Sequence, residues 1–130
     1  MKAVHTTDAF PPIPVLSQAI IAKNGTVYVS GCIGLAADRV DSKTLEVGVQ
    51  AQARSAMENM GKVLKAAGSG LEHVVKTNVF LSDLPNDFAP MNEVYFTFFN
   101  KDQMPARTCI GVKNLPLGAV FEIECVAELA

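Results

Sequence analysis

Apolar residues return along this chain with two different periods. Val49, Ala53, Ala56, Met57, Met60, Leu64 and Ala67 recur at steps of three and four, which places them on one face of an α-helix. Gln52, Arg54, Ser55, Glu58, Asn59, Lys62 and Lys65 occupy the other faces, so this helix should pack on one side only. Gly68 stands just past its end, where a left-handed residue commonly terminates a helix. A second apolar face comprises Phe88, Met91, Tyr95, Phe98 and Phe99. Asp83 or Asn86 can cap that helix, and Pro90 falls close enough to its start to be accommodated. Elsewhere the period is two. Val27 and Val29 point one way from a strand, Tyr28 and Ser30 the other. The short apolar run Ser17 to Ala22 precedes it, and Asn24-Gly25 between them favours the positive φ values of a tight hairpin turn.

Three more strands complete the pattern. His73 to Leu81 is rich in β-branched residues, and Arg107 to Val112 and Ala119 to Ala127 are joined through Leu115-Pro116-Leu117-Gly118. The first residues read as a short strand, and Pro11, Pro12 and Pro14 then hold an extended segment on the surface. A polar loop covers roughly residues 37 to 46. The order is β-β-β-α-β-α-β-β, an α+β domain spanning residues 1–130 without repeat or linker. Two helices can cover only one face of such a sheet. The other keeps Val120 and Val126 beside Glu122 and Glu124, a half-apolar surface that predicts burial against further copies of the chain.

Composition narrows the class of function. With 49% hydrophobic residues the chain is too apolar for disorder. Eleven basic residues stand against 13 acidic ones, with no basic run, which argues against nucleic acid as a partner. No segment is apolar for the length a membrane helix needs, and the first residues carry no signal-peptide core. Cys32, Cys109 and Cys125 are odd in number, lack CxxC spacing and lie far in sequence from His5 and His73. They read as reduced thiols in a cytoplasmic protein that holds no metal.

There is no phosphate-binding glycine loop, HExxH or GxSxG. Two features carry candidate chemistry. Arg107 opens a strand in Pro105-Ala106-Arg107-Thr108-Cys109, and Glu122 sits in the apolar strand Val120-Phe121-Glu122-Ile123-Glu124-Cys125. A guanidinium matches the two oxygens of a carboxylate, and a carboxyl in a partly apolar site becomes a base near neutral pH. The competing reading is a plain Arg–Glu ion pair on the sheet surface. Cys109 has no adjacent histidine to activate it, and a strand cysteine is more often inert. Ser30 could offer a hydroxyl to a ligand, yet a strand-end serine is usually structural, and Asn92 on the second helix is more often a solvent-facing or capping residue than a ligand.

In order along the chain, Ser17-Gln18-Ala19, Val27-Tyr28-Val29-Ser30-Gly31, Glu58-Asn59-Met60, Leu64-Lys65-Ala66-Ala67-Gly68, Val74 to Leu81, Asp87-Phe88, Met91 to Tyr95, Pro105-Ala106-Arg107-Thr108 and Glu122-Ile123-Glu124 resemble the RidA (YjgF/UK114) family almost end to end. The resemblance implies a chorismate-mutase-like fold, a homotrimer, and ligand sites in the clefts between subunits. It implies hydrolysis of 2-imino acids, the tautomers of enamines such as 2-aminoacrylate, to 2-oxo acids and ammonia without metal or organic cofactor. Arg107 would bind the substrate carboxylate and Glu122 would deprotonate the attacking water. Ser30, the backbones of Gly31 and Cys109, and Asn92 would complete the pocket. Two positions depart from the family: Leu16 stands where members usually carry tyrosine, and Cys32 where glutamine is common. Leu16 makes the pocket wall more apolar, and activity is expected to persist toward bulkier imines. The alternatives are a non-catalytic carboxylate-binding or regulatory protein, a chaperone-like surface, and an RNA-cleaving inhibitor of translation.

Overall fold

The computed structural model describes residues 1–36 and 43–130. Six strands and two long helices follow in the expected order: β1 (Lys2–Val4), β2 (Ala19–Ile21), β3 (Thr26–Ile33), α1 (Val49–Ala66), β4 (Val74–Leu81), α2 (Leu84–Thr97), β5 (Ala106–Gly111) and β6 (Phe121–Glu128). The strands form one mixed sheet in the order β1-β2-β3-β6-β4-β5. Only the β4–β5 pairing is parallel, with α2 as its crossover; the rest are antiparallel. Most of the polar loop expected over 37–46 lies outside the described residues, but Leu45 bridges back to Leu35.

Strand β6 explains the layering. Phe121, Ile123, Cys125 and Ala127 are buried, and Glu122, Glu124 and Val126 alternate with them on the opposite face. The buried set meets Met57, Met60 and Leu64 of α1 and Met91, Val94 and Tyr95 of α2 in one core. Both helices therefore lie on one face of the sheet, and the other face is bare. This is the α+β arrangement read from the sequence.

Several local expectations change. The β2–β3 hairpin has a three-residue loop rather than a two-residue turn, since only Gly25 takes positive φ, at 88°. Asn24 supports it from the side, its Oδ1 accepting from the Thr26 N–H at 3.0 Å. Gly68 does end α1 in the left-handed region, at φ 84°. Helix α1, however, packs over a wider arc than its apolar stripe. Gln52 is buried, donating through Nε2 to the Glu46 carbonyl at 2.9 Å and accepting the Val120 N–H at 2.9 Å. Ser55 donates to the Leu35 carbonyl at 2.6 Å. Loop backbone groups taken from water need partners, and these polar side chains supply them.

Helix α2 differs too. Asp83 occupies its N-cap position, yet neither Asp83 nor Asn86 makes a side-chain capping bond; the two bond each other at 2.9 Å instead. Pro90 lies in the helix interior, beyond the first turn, so one helical N–H is missing there. Phe88 is 41% exposed and falls outside the buried face, whereas Val94 is inside it.

Gly34 marks where β3 runs out beneath α1. A Cβ there would collide with the backbone of Gln52. Gly61, inside α1, has ordinary space, the nearest atom being Leu71 Cδ1 at 3.4 Å from a built Cβ. Gly34→Ala should therefore lower stability by roughly 1–3 kcal/mol, and Gly61→Ala should raise it by about 0.5–1 kcal/mol. Thermal unfolding of the two variants against wild type checks both signs.

Candidate functional site

Pro105 ends the loop after α2, and β5 then adds to the sheet edge beside β4. Thr77 of β4 faces Arg107, and Val79 faces Cys109. Thr77 and Val79 in turn face Cys125 and Ile123 of β6. Directly opposed residues share a face, so Arg107 and Cys109 lie on the helix-covered side. Arg107 meets α2 there. Its Nη1 donates to Asn92 Oδ1 at 2.7 Å, and its guanidinium carbon sits 4.7 Å from the Tyr95 ring centroid and 5.6 Å from that of Phe88. The Tyr95 hydroxyl bonds Thr77 Oγ1 at 2.7 Å.

Arg107 has no carboxylate within ion-pair distance among the described residues, where the single ion pair joins His73 to Glu72 at 3.6 Å. Ring faces and an amide oxygen hold the cation without neutralising it. A half-buried, unneutralised guanidinium with donors to spare is suited to receive an anion. The Cys109 thiol beside it is pushed up by burial, with Arg107 pulling partly the other way, so it is not poised as a thiolate.

Glu122 faces away from all this. It opposes Phe80 of β4 and Ile33 of β3 on the bare side of the sheet. The register between β3 and β6 shifts between Val29 and Cys32, so Ser30 and Gly31 form a bulge. The Glu122 carboxyl lies across this bulge, occupying the space a Cβ on Gly31 would need. Burial raises its pKa above the usual carboxylate value, and the neighbouring Glu124 raises it further. Among the described residues no hydrogen bond holds this carboxyl. It is free to meet a water.

The bulge also anchors the segment bearing Leu16. Ser30 Oγ donates to the Ser17 carbonyl at 2.6 Å, and the Ser30 N–H donates to the Gln18 carbonyl at 3.0 Å. Buried Gln18 clamps the extended stretch before it, accepting from the Thr6 N–H at 2.7 Å and donating to the carbonyls of Thr6 and Phe10 at 3.1 and 3.0 Å. Asn59 of α1, expected on an outer face, accepts the Phe10 N–H at 2.7 Å and donates to Cys32 Sγ at 3.7 Å. The Cys32 thiol is pushed up to about 12, chiefly by burial. Leu16, 41% exposed, thus sits on a fixed strap one residue from the Ser30 anchor.

The sequence-derived candidates therefore form two groups. Arg107, Asn92 and Cys109 gather at the β5 edge on the covered face. Glu122, Gly31, Ser30 and Leu16 gather around the β3 bulge. A surface Arg107–Glu122 ion pair does not form, because strand alternation puts the two on opposite faces. A cavity of about 150 Å³ under residues 7–10 and a groove of about 600 Å³ beside α1 include neither residue. Phe88 and Tyr95 were missed as partners of Arg107. Their spacing from Asn92, four back and three on, does place all three on one helix face.

Residues 6–129 match the family described as endoribonuclease L-PSP. The chain belongs to that family. RutC family protein UK114 of Drosophila melanogaster is 49% identical over 97% of this chain and 88% of its own length. The 2-iminobutanoate/2-iminopropanoate deaminase of Rattus norvegicus is 41% identical over 97% of this chain and 88% of its own. The crystal structure of RidA from an Antarctic Psychrobacter superposes with TM-score 0.89 at 36% identity, covering 99% of this chain and 100% of that one. The RidA/YjgF/UK114 membership read from the motifs holds, and so does the family fold. Among the described residues, no helix is long and apolar enough to cross a membrane.

The raised pKa of Glu122 has a consequence for stability. Folding disfavours its ionised form, so its contribution is most favourable below the ordinary value of 4.5 and is lost as pH rises through the higher folded value. Glu122→Gln should melt above wild type at pH 7, and the gap should close as pH falls below 4.5. Thermal unfolding across that range measures it.

Proposed function

We propose that this chain is a hydrolytic deaminase of 2-imino acids, working in clefts between the subunits of a homotrimer. The observation that carries the reading is an unneutralised Arg107 held ready for a carboxylate, together with an unbonded Glu122 of raised pKa. The deaminase name of the Rattus norvegicus relative supports the same reaction.

The chemistry follows from these two groups. Arg107 forks onto the substrate carboxylate and fixes the imine in one orientation. Glu122 takes a proton from a water as that water's oxygen bonds to the imine carbon, giving a tetrahedral carbinolamine. Glu122 passes that proton to nitrogen, then takes the carbinolamine hydroxyl proton as the C=O bond forms and the C–N bond breaks. Ammonia leaves, a 2-oxo acid remains, and the proton goes on to the departing ammonia or to solvent. A protonated imine carbon is already electrophilic, so orientation and proton transfer suffice. The backbones of Gly31 and Cys109, with Ser30 and Asn92, would line the pocket. Leu16 would present an apolar wall to the substrate side chain, favouring bulkier imines.

One copy cannot assemble this site, since Arg107 and Glu122 occupy opposite faces of the sheet. Two copies can, if the β5 edge of one meets the bare face of the next. Such a contact joins unlike surfaces and closes only as a ring, for which we propose three members. The bare face suits it: exposed Tyr28 and Ile110 and half-buried Phe80 and Val126 are interspersed with Glu122, Glu124 and Lys76. The three unpaired thiols fit a reducing compartment, and the cytoplasm is the one we propose. The family description mentions an endoribonuclease, but a net charge of -2 supplies no broad positive field for RNA.

A dehydratase that releases 2-aminoacrylate provides the assay. Wild type should clear the intermediate faster than buffer, and Arg107→Ala and Glu122→Ala should each lose about 100-fold or more. Glu122→Ala should still bind 2-oxo acids. Clearance no faster than buffer would end the deaminase reading. Light scattering should give three times the 13.9 kDa chain mass; a monomer would leave the proposed cleft without its second wall.

A further inference from the structure

The geometry points to Tyr95 and Phe88 as positioning residues that hold the Arg107 guanidinium in one pose for a substrate carboxylate. This rests on the reading of Arg107 as the carboxylate receptor and goes on to say what makes it a good one.

An arginine side chain has four freely rotating bonds, and a receptor that wanders must be ordered by each ligand it binds. Arg107 is ordered beforehand. The Tyr95 ring lies 4.7 Å from its guanidinium carbon, the Phe88 ring 5.6 Å away, and Asn92 Oδ1 takes Nη1 at 2.7 Å. All three partners project from one face of α2, at positions i, i+4 and i+7.

The principal ring is itself fixed. Tyr95 is 4% exposed and packs on Phe99 with centroids 5.0 Å apart. Its hydroxyl bonds Thr77, which has no exposed surface and stands directly opposite Arg107 in the β4–β5 ladder. The strand beside the arginine backbone therefore also tethers the ring beneath its head. The loop of contacts is closed, running from Arg107 through Tyr95 and Thr77 back to Arg107.

The kind of partner matters as much as the number. A carboxylate in place of either ring would hold Arg107 equally still but neutralise it. An aromatic face attracts the cation through its quadrupole and leaves the charge unpaired for the ligand. Burial also raises the Tyr95 phenol above its ordinary value, so no phenolate forms there near neutral pH.

The test separates the carboxylate contact from everything else by using a matched pair of ligands, 2-oxobutyrate and its neutral amide, 2-oxobutyramide. Phe88→Leu alters a side chain that is 41% exposed, so folding is not at issue. Phe88→Leu and Tyr95→Leu should each weaken 2-oxobutyrate by about tenfold and leave the amide unchanged, with KM for the imine rising and kcat near wild type. Tyr95→Phe keeps a ring but loses the Thr77 tether, and should fall between wild type and Tyr95→Leu. A loss of folded protein would reduce acid and amide binding alike. Equal weakening of both ligands in Phe88→Leu, or no change in either leucine variant while Arg107→Ala loses the acid selectively, would overturn the positioning role. If Arg107→Ala itself binds the acid as wild type does, the receptor reading fails and this inference fails with it.

Discussion

Side chains alternate across a strand, and in a sheet covered on one side this rule divides the chain's chemistry in two. Phe121, Ile123, Cys125 and Ala127 go to the core, so Glu122 and Glu124 must go to the bare face. The register carries the same division through β4 to β5, where Arg107 and Cys109 share the covered side. No rotamer of either residue reverses it. The proposed carboxylate receptor and the proposed base are thus separated by the thickness of the sheet, and on that proposal a neighbouring subunit has to reunite them. Under the proposed function, assembly and catalysis would be one problem in this fold.

Each half of the site is stiffened in its own way. Aromatic rings and an amide hold Arg107 against α2. The Glu122 side is built from backbone: a β-bulge, a glycine without a side chain, and a strap fastened by Ser30 and Gln18. Asn59 ties that strap to α1. Gln18, together with Gln52 and Asn59, which look like surface in the sequence, fastens loops to the core. Their side-chain hydrogen bonds satisfy backbone groups that would otherwise be stranded.

The element order and the apolar faces were legible because each leaves a local mark, and Arg107 and Glu122 stood out as candidates for the same reason. Val49 to Ala67 shows the helical period, and Glu122 stands out among apolar strand neighbours. What escaped was set by tertiary contact. Gln52 and Asn59 read as outer-face residues because periodicity registers polarity, not what a loop backbone across the fold requires. Phe88 read as core because it is apolar and in phase, yet it lies against a guanidinium instead. The opposition of Arg107 and Glu122 was partly accessible. Alternation along β6 was plain, but the face of Arg107 depended on a parallel register that no local pattern encodes.

The place of β6 in the sheet has a kinetic meaning. It is the last of the six strands to be made and it sits at the centre, between β3 and β4. Until it arrives, β3 and β4 have no shared neighbour in the sheet, and the core lacks Phe121, Ile123, Cys125 and Ala127. Folding must therefore wait for contacts of long sequence separation, a slow class of search that leaves strand edges open meanwhile. Because Glu122 is part of that last strand, the proposed base arrives in the same event that closes the core. A chain stalled short of β6 would lack both the fold and the proposed base.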